Sequence, residues 1–173
     1  LIGASVPRYM RFLVFKAFFE KKGIRWLLHW LDAIPVSSAS RRDIVEMLRQ
    51  ARESLREGDA VCLFAEGSIS RTGNLLPFHR GFEKIVEGFD APIIPVYLDG
   101  LWGSFFSFDG GRFFWKWPKR LRYPVTVRFG ESLPSGVSAI DVRQRILELS
   151  SDAAIARKTR LDTLPARFIR QAR

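Results

Sequence analysis

At 173 residues, with 47% hydrophobic and 27% charged side chains, the chain has the size and composition of one ordinary globular domain with its own core. A single cysteine, Cys62, excludes an internal disulfide framework and a cysteine-based zinc site, and no apolar run reaches the ~18 residues of a membrane-spanning helix. The net charge of +10, from 28 Lys and Arg against 18 Asp and Glu, together with 13% aromatics, favours an anionic or amphipathic partner: a membrane leaflet, a phosphorylated substrate or nucleic acid.

Residues 8–31 mix aromatics and leucines with Arg8, Arg11, Lys16, Lys21, Lys22 and Arg25, against Glu20 alone. The pattern predicts one or two helices, broken at Gly23, that either lie in a membrane interface or pack on a sheet with a solvated cationic face. Residues 33–36 fit a short strand. Residues 40–57 read as a helix, with Ser40 and Asp43 as a capping pair, Ile44, Leu48, Ala51 and Leu55 at helical spacing, and Gly58 as the stop.

Residues 60–65 form an unbroken apolar run suited to a strand buried on both faces, as in a parallel sheet. A polar loop follows, then a helix over 80–89. Residues 92–98 give another apolar run, whose two prolines confine it to a sheet edge or to strand ends. Residues 101–122 are irregular, aromatic and basic. Residues 124–129 alternate, with Val125, Val127 and Phe129 on one face, and Ser138 with Asp141 opens a last helix to about Ser151. This order predicts an α/β fold with a mostly parallel sheet flanked by helices. Residues 1–152 form the domain. Residues 153–173, with Arg157, Lys158, Arg160, Arg167, Arg170 and Arg173, read as a basic linker.

The informative stretch is the loop after the 60–65 run. The buried strand ends in Glu66-Gly67, where glycine permits a sharp turn and close approach to a ligand. Ser68, Ser70 and Thr72 supply hydroxyls, and Arg71 a planar cationic fork. Arg80 and the amides opening the next helix add positive potential. Together they fit a phosphate cradle at the C-terminal edge of a sheet, where open α/β folds bind ligands. Glu66 suits a role in orienting Arg71 or accepting a substrate hydroxyl. An ordinary polar connection between strand and helix is the plainer alternative.

Phe64-Ala65-Glu66-Gly67, Ser70-Arg71-Thr72-Gly73 and Leu76-Pro77-Phe78-His79-Arg80-Gly81 resemble the F-P-E-G-T-R-S block of the lysophosphatidic acid and glycerol-phosphate acyltransferases. Ala91-Pro92-Ile93-Ile94-Pro95-Val96 resembles that family's later V-P-I-I-P-V block, and the resemblance runs over residues 1–150. The sequence departs from the pattern at three places. Ala65 replaces the proline, Ser68-Ile69 replaces Thr-Arg so that Arg71 stands in for the missing arginine, and His79 replaces a lysine. These changes bear on the acceptor more than on the fold. They are similar to the module that recycles lysophosphatidylethanolamine, fused to a transporter and an acyl-carrier-protein ligase, and residues 164–173 resemble the opening of such a ligase.

The resemblance implies transfer of a fatty acyl group from coenzyme A or acyl carrier protein, as a thioester co-substrate, to a lysophospholipid or glycerol-phosphate acceptor. It implies no bound cofactor or metal. Glu66, Gly67, Ser68, Ser70 and Arg71, with Arg80 secondary, would hold the phosphate end of the acceptor. Its base is an H-x-x-x-x-D histidine, with the aspartate fixing the tautomer. Neither histidine of this chain has that spacing. His29 precedes Asp32 and reads as structural, and His79 precedes Glu83 and occupies a basic position of the pattern. The pair is therefore expected upstream of Leu1, and the fragment alone is expected to be inactive.

Residues 112–123 interleave aromatics with Arg112, Lys116, Lys119, Arg120 and Arg122. They suit an interfacial membrane loop, a packed aromatic cluster with a basic rim, or single-stranded nucleic acid. No specific nucleic-acid partner is expected. A membrane surface is, with acyl carrier protein as a further partner, at the cytoplasmic face of the cell membrane. The alternative is a catalytically inactive membrane-docking module of a larger fusion protein. No G-x-S-x-G elbow supports a serine hydrolase.

Overall fold

The computed structural model describes residues 2–20, 22–37, 40–102 and 124–160, which belong to two packed units. The first comprises Leu1–Ser68, Pro77–Ile93 and Pro134–Ala139, and the second Ile69–Leu76, Ile94–Leu133 and Ile140–Arg173.

The first unit is built on a central strand, β1 (Met10–Phe15), with β2 (Ile34–Val36) and β3 (Ala60–Cys62) on either side in the order β2-β1-β3. Both pairings are parallel, with Leu13 opposite Ile34 and Met10 opposite Ala60. Parallel neighbours need crossover connections. These are α1 (Lys16–Phe19) and α2 (Lys22–Trp30) between β1 and β2, and α3 (Arg41–Arg56) between β2 and β3. A short 3-10 turn occupies Ile2–Ser5.

The helical expectation for residues 8–31 is therefore corrected at its start, where Met10–Phe15 is a strand. A short apolar run fits a buried strand and a buried helix equally well by periodicity. Arg11 belongs in this strand because its guanidinium is consumed: it pairs with Asp32 at 2.7 Å and donates to Ser54 Oγ at 3.0 Å. The helical interruption falls between Phe19 and Lys22, and Gly23 lies within α2.

α3 begins as its sequence predicts. Ser40 Oγ accepts from the Asp43 amide at 3.1 Å, filling one of the orphan donors of the first turn. Gly58, at φ +87°, turns the chain out of the helix. Its inner face supplies Met47 and Ala51 to a core shared with Leu13, Ile34 and Ile85, with Leu48, Leu55, Val61 and Leu63 around them. α4 (Gly81–Val86) is shorter than the expected 80–89 and buries Phe82, Ile85 and Val86. Arg52 Nη1 donates to the carbonyls of Lys84, Ile85 and Glu87 at 3.0, 3.3 and 2.8 Å, satisfying the open C-terminal end of this helix.

In the second unit β4 (Val96–Asp99) and β5 (Thr126–Phe129) pair antiparallel, from Val96 opposite Phe129 to Asp99 opposite Thr126. The apolar run 92–98 thus becomes a strand only after its second proline; Pro95 is buried just ahead of it. α5 (Ala139–Arg160) extends well past the expected end near Ser151. Its buried positions Val142, Ile146 and Ala153 keep helical spacing across that point. The basic segment 153–173 therefore starts inside a helix, where Arg157 pairs with the buried Asp99 at 3.3 Å. Residues 161–173 and the aromatic-basic stretch 112–123 lie outside the described residues. The whole is an α/β fold with a parallel three-stranded sheet, flanking helices and an antiparallel pair. Among the described residues no helix is long and apolar enough to cross a membrane.

Candidate functional site

The block singled out in the sequence leaves β3 and leads to α4. Its first half belongs to the first unit. After Leu63, the chain turns at Ala65-Glu66, and the Gly67 amide donates to Phe64 O at 3.0 Å. Gly67 has φ +61°, a left-handed conformation that glycine adopts without a Cβ penalty. The His79 amide returns to Ala65 O at 2.8 Å, and the His79 ring lies against Gly67. The residue before Glu66 is thus tied to the residue before Arg80, which closes the turn at its base.

Glu66 is half-buried in this turn, and Ser68 is exposed, its Oγ 3.5 Å from Glu66 O. Arg80 is exposed but engaged, with Nε 2.8 Å from Glu83 Oε2. Glu83 Oε1 accepts from the Ala139 amide at 2.9 Å. That amide, and then Arg80, hold the Glu83 carboxyl below the usual carboxylate range. One carboxylate therefore fixes both Arg80 and the segment Pro134–Ala139.

The second half of the block, Ile69–Leu76, belongs to the second unit. Ser70 Oγ accepts from the Gly73 amide at 3.0 Å, and Thr72 Oγ1 from the Asn74 amide at 3.4 Å. Arg71 is exposed at the head of this turn. Gly73, at φ +80°, sits on the Trp102 indole; a Cβ there would stand 2.9 Å from Cε3. Arg143 on α5 donates to the carbonyls of Leu75 and Leu76 at 3.2 and 3.1 Å. Neither Trp102 nor Arg143 was marked by the sequence. Their role depends on contacts with a loop up to 68 residues away, which no local pattern encodes.

Glu66, Gly67, Ser68 and Arg80 thus occur together in the first unit, Ser70 and Arg71 in the second. The first half offers the Ser68 hydroxyl and the ion-paired Arg80, and the second Ser70, Thr72 and Arg71 on a turn held by side-chain–backbone hydrogen bonds, donor sets suited to an anionic oxygen group. A general base is a separate matter. His29 is exposed on α2 with its ring 5.9 Å from that of Phe19, edge to face, and His79 packs on Gly67. Burial pushes the Cys62 thiol up to about 11, which keeps it protonated at neutral pH. A groove lined by Val45, Leu48, Arg49, Arg52 and Arg56 lies on α3 and contains none of the block. Its arginines are occupied: Arg49 by Glu46, Arg56 by Glu53, and Arg52 by the end of α4.

Residues 1–99 match the family described as Acyltransferase. A chloroplastic 1-acyl-sn-glycerol-3-phosphate acyltransferase of Brassica napus is 27% identical over 96 residues, covering 56% of this chain and 28% of the relative. One of Arabidopsis thaliana is 25% identical over 96 residues, covering 56% and 27%. That of Cocos nucifera is 37% identical over 57 residues, covering 32% and 18%. The crystal structure of the 1-acyl-sn-glycerophosphate acyltransferase PlsC of Thermotoga maritima superposes with a TM-score of 0.58 at 20% identity, over 90% of this chain and 59% of that one. The chain thus spans between 18% and 28% of the length of these curated relatives.

Proposed function

We propose, from the premise that this chain belongs to the acyltransferase family, that it forms the acceptor-binding part of an O-acyltransferase in glycerophospholipid synthesis or remodelling. The acceptor is a lysophospholipid or glycerol phosphate, and the donor an acyl thioester of coenzyme A or acyl carrier protein. In the reaction the acceptor's hydroxyl oxygen attacks the thioester carbonyl, the carbon–sulfur bond breaks, and the departing thiolate takes up the proton released by the hydroxyl. Ser68, Ser70 and Arg71 bind the acceptor phosphate, Gly67 lets the backbone approach it, and Glu66 orients the cation or the glycerol. Arg80, held by Glu83, is a secondary contact for the phosphate. The base is assigned to neither His29 nor His79. The acceptor is taken from the cytoplasmic face of a membrane.

The observation that supports this most lies in the first unit of a family member: a strand end, a left-handed Gly67 and the His79 amide returning to Ala65 O close the turn that carries Glu66 and Ser68. The names of the relatives support the choice of acceptor. The test is turnover of lysophosphatidate by the natural full-length protein carrying Glu66→Ala and Arg71→Ala together. Loss of one to two orders of magnitude in kcat/KM is expected from removing charge-assisted contacts, roughly 10–100-fold. Unchanged turnover would remove these residues from the site.

A further inference from the structure

α2 has two apolar faces. At 3.6 residues per turn, Leu28 points to one side and is buried at 7% exposure. Gly23, Trp26, Leu27 and Trp30 fall on the opposite stripe, where Trp26, Leu27 and Trp30 are 67%, 37% and 75% exposed. A Cβ on Gly23 would meet nothing within 4 Å, so the head of the stripe is open as well. Arg25 is exposed on the Leu28 side of the helix, away from this stripe. Two indoles one helical turn apart, both open to solvent, are not explained by packing of the first unit, because Leu28 already provides the inward contact. Contiguous exposed apolar surface of this kind marks an interaction site.

The charge selects the occupant. The chain carries +10, so a second copy would meet a like charge, whereas an anionic bilayer would attract it. Indoles combine an apolar body with a polar N–H and settle at headgroup depth. We propose that Trp26, Leu27 and Trp30 form a docking stripe that seats α2 in the headgroup region of an anionic bilayer. The proposal builds on the reading of the acceptor as a membrane lipid and identifies the surface that would present this domain to it.

The test is flotation of the 173-residue chain with vesicles of phosphatidylcholine containing phosphatidylglycerol, and with phosphatidylcholine alone, without acyl donor or acceptor. Binding to the anionic vesicles is expected. It should fall about 10-fold or more in the Trp26→Ser, Trp30→Ser double variant, from the apolar area withdrawn. Raising the ionic strength to ~1 M should lower it as well. In the unaltered chain, indole emission should be quenched by brominated phosphatidylcholine in the anionic vesicles, a readout that needs no variant to fold. Undiminished binding by the double variant, no binding by the unaltered chain, or a double variant that loses only self-association in sedimentation would each overturn the proposal. Because no catalysis is read, vesicle binding can fail while lysolipid turnover stands, and the reverse.

Discussion

The imidazole of His79 fills the space that a side chain on residue 67 would need: a Cβ there would stand 2.6 Å from Cδ2 and 3.0 Å from Nε2. Gly67 also has φ +61°, so a substitution meets both a neighbour and backbone strain. Gly67→Ala should destabilise the protein by about 1–3 kcal/mol. Gly81, the first residue of α4, has open space around its Cβ position. Gly81→Ala should be neutral or stabilising by up to ~1 kcal/mol. Urea denaturation of the two variants checks the contrast. Adding His79→Ala to Gly67→Ala should recover only part of the loss, since the strain at φ +61° persists.

Glu83 joins Arg80 to the Ala139 amide, and its carboxyl is held below the ordinary range by that amide first and by Arg80 second. A carboxyl depressed in the folded state adds stability that is fully present above the unfolded value, ~4.3, and is lost as pH falls through the lower folded value. At neutral pH Glu83→Gln should therefore melt below the unaltered protein. The gap should close on acidification below the ordinary glutamate range. Thermal unfolding followed across acidic pH checks this; a gap that widens with acid would contradict it.

Much of this is legible in the sequence, and the exceptions share a cause. Ser40, Asp43 and Gly58 bound α3 because capping acts through neighbours three residues apart. The 60–65 run is strand only over Ala60–Cys62, half-buried at the sheet edge and not covered on both faces, while the Glu66-Gly67 turn follows from glycine chemistry. β1 looks helical in the sequence because its identity comes from β2 and β3, whose paired residues lie 21 and 50 positions further on, at Ile34 and Ala60. The end of α5 was missed because polar Ser150 and Ser151 look like a stop, while buried Ala153 continues the packed face. At the site, the block was visible as a motif. The partners that hold it, Trp102, Arg143 and Ala139, come from distant segments and carried no local signal.

The cluster of Arg11, Asp32 and Ser54 shows why a charge is tolerated in the central strand. Arg11 pairs with Asp32 at 2.7 Å, donates to the fully buried Ser54 at 3.0 Å and, through Nε, reaches Asp32 O at 3.3 Å. Asp32 itself adopts φ +47°, which its backbone holds at some cost. Arg11→Met keeps the apolar stem but leaves Asp32 and Ser54 short of a donor. It should cost about 1–3 kcal/mol in urea denaturation. Asp32→Gly loses the ion pair but relieves the left-handed strain, and should cost less than Arg11→Met.

The most direct test of the account is a comparison of two acceptors that differ only in the phosphate. Lysophosphatidate and the corresponding monoacylglycerol would be offered to the natural full-length protein, with and without Arg71→Ala, and kcat/KM measured for each. The account predicts strong preference for lysophosphatidate in the unaltered protein and a collapse of that preference by roughly 10–100-fold in Arg71→Ala, with monoacylglycerol turnover little changed. Equal use of both acceptors by the unaltered protein, or a preference untouched by the substitution, would contradict the assignment of Arg71 and its loop to the acceptor phosphate.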